Sequence, residues 1–276
     1  VNVLFVASRF PHPPLRGDQV RAFHQLRLLA PRHRITVLSA EPGPADQVPC
    51  ELVAVRSGLA AHLAALLRGM AAGRPAQAAW FETAPLRRAV REQLARGSFD
   101  VVHVQLARLA AVVPEGVPRV IDLIDALSLN MARRREHDRG PMAWMAGFEA
   151  PRLHAWERRV CASFEQATVV SDADRQAIGV PALAVNPNGV DLEAWPFVEA
   201  GRQPERVVFT GNLGYFPNVD AVSWFAAEVL PLLSRERPQV RFEAAGARPA
   251  PALLELPRRD PRIAVRGPVD RLHEVL

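Results

Sequence analysis

The chain has 276 residues, of which 49% are hydrophobic and 23% charged, and its formal net charge is +5. It can therefore bury a sizeable core, which excludes a stapled mini-protein and a wholly disordered chain. Two cysteines, Cys50 and Cys161, stand far apart with no C-x-x-C, so neither a disulfide framework nor a structural zinc site is expected.

The elements alternate. Val3 to Ala7 reads as a strand, followed by a Pro-rich loop and a helix through Val20, Phe23, Leu26 and Leu29. Arg34 to Ser39 and Glu51 to Val55 read as strands, and Ala60 to Met70 and Thr83 to Arg96 as helices. Val101 to Val104 and Val120 to Leu123 have the Val- and Ile-rich composition of strands covered on both faces. A helix over Arg152 to Glu165 then leads into a strand over Ala167 to Val170. After the turn-forming Asn186-Pro187-Asn188-Gly189-Val190-Asp191 and the charged stretch Glu199 to Arg206, the pattern restarts. It gives strand Val207 to Thr210, helix Asp220 to Leu233, and strands Val240 to Ala244 and Ile263 to Val265. A last helix is expected over Arg271 to Leu276. The expectation is α/β with mostly parallel sheets, in two units.

All 34 basic residues are arginines, so P-loop and Schiff-base lysines are absent. The arginines are dispersed without aromatic interleaving, which argues against nucleic acid as a partner. No apolar run reaches membrane-spanning length, and the opening run lacks signal-peptide features. A cytoplasmic protein is expected. Arginines interspersed with Met142, Trp144, Met145, Phe148 and Trp156 suggest peripheral contact with the inner membrane face.

Candidate chemistry falls on strand-to-helix loops, where parallel sheets bind ligands. In the first loop, Gly17 allows close backbone approach, while Arg16, Asp18 and Arg21 surround a helix start suited to an anion. His103 is expected at a strand end, and Asp122 and Asp125 close the strand over 120–125. Asp125 and His103 are the candidate catalytic groups, and Asp122 a candidate sugar contact. Ser171 suits a helix cap and Arg175 a charged ligand. In the second unit Gly211, Asn212 and Gly214 form a βα loop suited to phosphate, and Arg248 closes the next strand. No residue pattern marks a metal site.

Four stretches, in this order, carry a family resemblance: VLFVASRFPHPPLRGDQVRAFHQLRLLA (3–30), SDADR (171–175), NPNGVD (186–191) and VVFTGNLGYFPNVDAVSWFAAEVLP (207–231). Together they resemble the retaining family-4 GT-B glycosyltransferases, in particular the exopolysaccharide-type sugar transferases. The resemblance implies a GT-B-like fold, two Rossmann-like parallel-sheet domains facing a cleft. Residues 1–185 would form an acceptor domain, 186–206 the crossover and linker, and 207–276 a partial donor domain. It implies a nucleoside-diphosphate sugar as donor, a glycan or lipid-linked acceptor, retention of anomeric configuration, and no metal or other cofactor. Gly17 matches the glycine near the donor diphosphate, and Asp125 the position that contacts the transferred sugar. Gly211 matches the donor-domain loop. The family's arginine–lysine pair at that loop is not matched, so neutralisation would rest on arginines such as Arg248. A later motif of two glutamates separated by seven residues is not found, so the chain is expected to be cut short. Two alternatives remain: a nucleotide-sugar epimerase or hydrolase using Asp122, Asp125 and His103, and a non-catalytic sugar- or nucleotide-binding module.

Overall fold

The computed structural model describes residues 1–44, 48–197 and 203–269. The chain divides into two compact units, Val1–Gly189 and Val190–Leu276.

Unit 1 is built on a seven-stranded sheet. Its elements are β1 (Asn2–Ala7), α1 (Gly17–Leu29), β2 (Arg34–Ser39), β3 (Glu51–Ala54), α2 (Leu59–Ala71), α3 (Ala76–Phe81) and α4 (Ala84–Arg96). There follow β4 (Val101–Gln105), a 3-10 turn at Ala107–Val112, β5 (Arg119–Ile124), α5 (Leu127–His137) and α6 (Pro141–Ser163). β6 (Gln166–Val169), α7 (Asp172–Ile178) and β7 (Ala184–Val185) complete it. The strand order is β3-β2-β1-β4-β5-β6-β7, and every pairing is parallel. Chain order reverses direction between β1 and β4, which makes their carboxyl ends the switch point of the sheet.

Strand alternation sends β1 side chains to two cores. Val3, Phe5 and Ala7 pack with Ala22 and Leu26 of α1 on one face. Leu4 and Val6 join Val102, Val104 and Ile121, covered by Leu86 and Val90 of α4 and Leu153 and Val160 of α6. Both faces are thus dry, which is why these strands read as unbroken apolar runs.

The expected helix over Arg152 to Glu165 is longer at its amino end, because α6 runs through Pro151. Ala146 before the proline and Leu153, Trp156 and Val160 after it are all buried, and that burial holds the helix across the missing hydrogen bond. Of the apolar residues noted there, Trp156 is buried and donates Nε1–H to the Ala107 carbonyl at 2.9 Å. Met142, Trp144, Met145 and Phe148 are exposed.

Unit 2 has a three-stranded parallel sheet, β10-β9-β8, from β8 (Arg206–Thr210), β9 (Arg241–Ala245) and β10 (Ile263–Arg266). The single expected helix over Asp220 to Leu233 is α8 (Phe216–Trp224), a π turn at Phe225–Val229, and α9 (Leu230–Glu236). Pro231 has no N–H to continue the α pattern, and the helix widens just before it. Two one-turn helices, α10 (Pro251–Leu254) and α11 (Leu256–Arg259), precede β10. Leu213, Val222, Leu230, Phe242, Leu253 and Ile263 form the core. The helix expected over Arg271 to Leu276, and residues 198–202 of the linker before β8, lie outside the described residues.

Candidate functional site

At the switch point, β1 ends in Ala7 and β4 in Gln105, with α1 starting above them at Gly17. Arg16, at the N-cap position of α1, gives no side-chain cap, so it leaves the first-turn amides without a side-chain acceptor from that residue. A Cβ placed on Gly17 would meet nothing within 4 Å. That open space at a helix amino terminus suits an anion. Asp18 is held below it: Arg9 Nη1 lies 2.5 Å from its carboxylate, and Gln105 Nε2 donates to its carbonyl at 3.0 Å.

Arg9 and Arg108 are two arginines at this edge that sequence reasoning did not single out as site residues. Arg108 follows β4, lies with its guanidinium 5.3 Å from the centre of the Phe81 ring, and its Nε has no partner among the described residues. Burial lowers its pKa, and Arg9 pushes the same way while Asp18 opposes. Only the strand order places Arg9 and Arg108 side by side. Neither strand alone announces it.

β5 delivers Asp125 to the same sheet edge. Ile124, the last strand residue, has φ +64, a left-handed backbone that a β-branched side chain rarely adopts. The β5–β6 register shifts there, between Asp122 and Ile124. Leu106, just past β4, has φ +75, and Arg248, just past β9, φ +54. All three non-glycine residues with positive φ among the described residues thus lie at or just past the carboxyl ends of strands, where strain concentrates at functional positions. Nothing in the identities Leu106 and Ile124 signals this.

Asp125 itself is exposed, while its backbone is fixed from outside. Asp174 Oδ1 accepts the Ala126 N–H at 2.9 Å, and Glu157 accepts both the Ser128 N–H and hydroxyl, so α5 is capped from α6 and α7. Ser171 caps α7 as expected, accepting the Asp174 N–H at 3.2 Å. The protein packed around Asp125, and then Asp174, raise its carboxyl pKa, with Arg21 acting against them.

Other sequence candidates have different work. Asp122 is buried, and its carboxylate receives Arg21 Nε at 2.5 Å, Gln25 Nε2 at 2.9 Å, and Thr168 Oγ1 and the Ile124 N–H, each at 3.2 Å. It has no lone pair turned to solvent. Arg21 is also buried, and its remaining nitrogens hold the crossover: Nη1 donates to Asn188 Oδ1 at 2.8 Å and Nη2 to the Asn186 carbonyl at 3.0 Å. Both residues therefore position structure rather than face a ligand.

His103 is mid-strand in β4, not at its end, stacked on Phe5 beneath α1 at a centroid distance of 4.6 Å. Its Nε2 is sealed from solvent without a partner among the described residues, and burial pulls its pKa down to about 4, with Asp122 raising and Arg21 lowering it less strongly. Half-buried in mid-strand with its pKa lowered, it is poorly placed for acid–base work. Arg175 pairs on the surface with Asp172 at 2.6 Å.

In unit 2 the glycines of the βα loop serve packing. Gly211 N–H donates to Ala245 O at 3.1 Å and Leu213 N–H to Ala247 O at 2.9 Å, so this loop lies directly on the loop after β9. A Cβ on Gly214 would sit 2.7 Å from the Arg248 carbonyl oxygen, and one on Gly246 1.6 Å from that of Gly211. Asn212 Oδ1 accepts the Gly214 N–H at 3.1 Å, and Asn218 Nδ2 donates to the Asn212 carbonyl at 3.0 Å. Asn212, Gly214 and Arg248 stay exposed at this edge. Among the described residues no cluster of His, Cys, Asp or Glu could hold a metal ion.

No protein-family model matches the sequence. None of the curated proteins matches it either. Solved structures do match. The chain is similar to sucrose-phosphate synthase from Thermosynechococcus elongatus at TM-score 0.65 and 12% identity, over 100% of this chain and 72% of that one. It is similar to WaaG, a glycosyltransferase involved in lipopolysaccharide biosynthesis, at TM-score 0.58 and 15% identity, over 100% and 72%. A third is the catalytic domain of starch synthase IV from Arabidopsis thaliana, bound to ADP and acarbose, at TM-score 0.58 and 11% identity, over 98% and 74%. The fold is therefore of the GT-B type, as the motif order predicts.

Proposed function

We propose that this protein transfers a sugar from a nucleoside-diphosphate sugar to a glycan or lipid-linked acceptor, with retention of anomeric configuration. The observation that carries the reading is the exposed Asp125, fixed at the tip of β5 by a left-handed Ile124 and by Asp174, on the same sheet edge as the open amino terminus of α1. In unit 1, the α1 amides beside Gly17, with Arg16, would stabilise charge that develops on the leaving diphosphate. Asp125 would orient or accept a proton from a sugar hydroxyl, its raised carboxyl pKa suiting a shared proton. Unit 2 would offer Asn212, the amides around Gly211 and Gly214, and Arg248 to the nucleotide. Attack on the same face can be substrate-assisted, so no protein nucleophile is assigned. The ADP held by the similar starch synthase domain supports a nucleotide-bearing donor. The epimerase or hydrolase alternative is less well supported, since Asp122 is enclosed and His103 lies in mid-strand with its Nε2 shielded.

Titration calorimetry with UDP-, GDP-, TDP- and ADP-sugars tests the donor class. Binding of at least one, in the roughly micromolar to millimolar range usual for substrates, is expected. Failure of all four to bind the whole protein would remove this reading.

A further inference from the structure

Helix α2 is built inside out. Its inner face meets the protein through Ala65 and Gly69, both buried, and Gly69 lies so near α3 that a Cβ there would sit 2.4 Å from Ala79 Cβ. His62 stacks on Trp80 of α3 at 4.7 Å. The large apolar residues point the other way. Leu59, Leu63, Leu67 and Met70, spaced four, four and three apart along one face, are between 40% and 71% exposed. A soluble surface helix has the opposite arrangement.

The flanks of this ridge are basic. A groove of about 490 Å³ between α2 and α4 is lined by Arg68, Arg87, Arg88 and Arg91 with one acidic side chain, Glu92. Arg87 is bound to the buried Glu82 at 2.9 Å and Arg88 to Glu92 at 2.6 Å. Arg68 donates to the Glu82 carbonyl at 2.8 Å, which leaves its charge uncompensated by that contact. Burial, then Arg91 and Arg68, lower the pKa of Arg87, as expected where positive charge is in excess. Residues 56–96 contain seven arginines and two glutamates, a surplus of five that equals the net +5 of the whole chain. The rest of the sequence is neutral in sum.

We propose that the α2 face is a membrane-docking surface, with Leu59, Leu63, Leu67 and Met70 entering the interface of an anionic phospholipid bilayer and the flanking arginines meeting its headgroups. An apolar ridge bordered by arginines matches a surface that is apolar below and negative above. A helix of 13 residues is too short to cross the bilayer, so it lies along it. This assignment stands apart from the sugar-transfer reading and places the contact on a different helix from the aromatic run of α6.

Co-sedimentation of the whole protein with vesicles of phosphatidylcholine alone, and of phosphatidylcholine mixed with phosphatidylglycerol, tests it. Binding should be at least roughly tenfold stronger to the anionic vesicles and weaken with salt. A Leu63→Glu/Leu67→Glu variant should lose roughly tenfold or more of that binding with an unchanged melting temperature, since both side chains already face outward. Equal binding to neutral and anionic vesicles, or wild-type binding by the variant, would overturn the proposal. So would a dimer in light scattering that the variant dissolves while vesicles are ignored, because a second copy would then cover the ridge. Binding that survives this variant yet falls in Trp144→Ala/Phe148→Ala would move the contact to α6 and overturn it as well.

Discussion

At the residue scale, His103 and Gly17 show what a side chain's surroundings add to its identity. Histidine beside a predicted strand end reads as a catalytic base. Instead it lies in mid-strand, half-buried and stacked on Phe5, with its pKa lowered to about 4. Because the folded pKa lies below the unfolded value of about 6.5, the folded state takes up its proton later. Stability is then fully present above about pH 6.5 and falls as pH drops toward 4, by roughly 1–3 kcal/mol after allowing for partial solvent access. His103→Phe should flatten that slope in urea melts recorded across the interval. An unchanged slope would mean another group titrates there. Gly17 is the reverse case. With nothing within 4 Å of its Cβ position at the start of a helix, Gly17→Ala should leave stability level or raise it by up to about 1 kcal/mol. If the donor diphosphate approaches there, the same methyl weakens nucleotide-sugar affinity by about tenfold or more, read by calorimetry. A variant both stable and tight-binding would move the anion elsewhere.

At the element scale, the end of β5 and the helix above β1 are joined by one buried ion pair. Asp122 and Arg21 lie 101 positions apart, and no local pattern pairs them. The sequence shows Asp122 as one polar residue in an apolar strand, read as a candidate sugar contact. The structure adds Gln25, Thr168, Asn186 and Asn188 to the same network, so removing one partner strands a buried charge. Arg21→Ala should cost about 3–5 kcal/mol in unit 1, and removing both partners as Arg21→Met/Asp122→Leu should cost less. Chemical denaturation of the three proteins measures this. A loss in the double variant equal to or larger than that of Arg21→Ala would contradict the stranded-charge penalty. Helix extents were less legible than strands, since Pro151 and Pro231 each mark a break that burial overrides or converts into a wide turn.

At the scale of the whole molecule, the alternation of short apolar strands with helices was legible because a parallel sheet covered on both faces leaves continuous Val- and Ile-rich runs. Strand order was not legible, since parallel pairing is set by crossovers rather than local pattern. The order β3-β2-β1-β4-β5-β6-β7 brings Arg9, Arg108, Gly17 and Asp125 to the edge of one sheet. In unit 2, glycines that read as a phosphate loop are accounted for first by two backbones in contact. The central claim is sugar transfer that depends on the β5 tip. The direct measurement is transfer by the whole protein from a panel of nucleoside-diphosphate sugars to glycan and lipid-linked acceptors, with product configuration read by NMR, for wild type and Asp125→Asn. The account predicts a retained product, and a kcat lowered by about a hundredfold in a variant that melts like wild type. An inverted product, no transfer from any donor, or wild-type turnover by Asp125→Asn would contradict it.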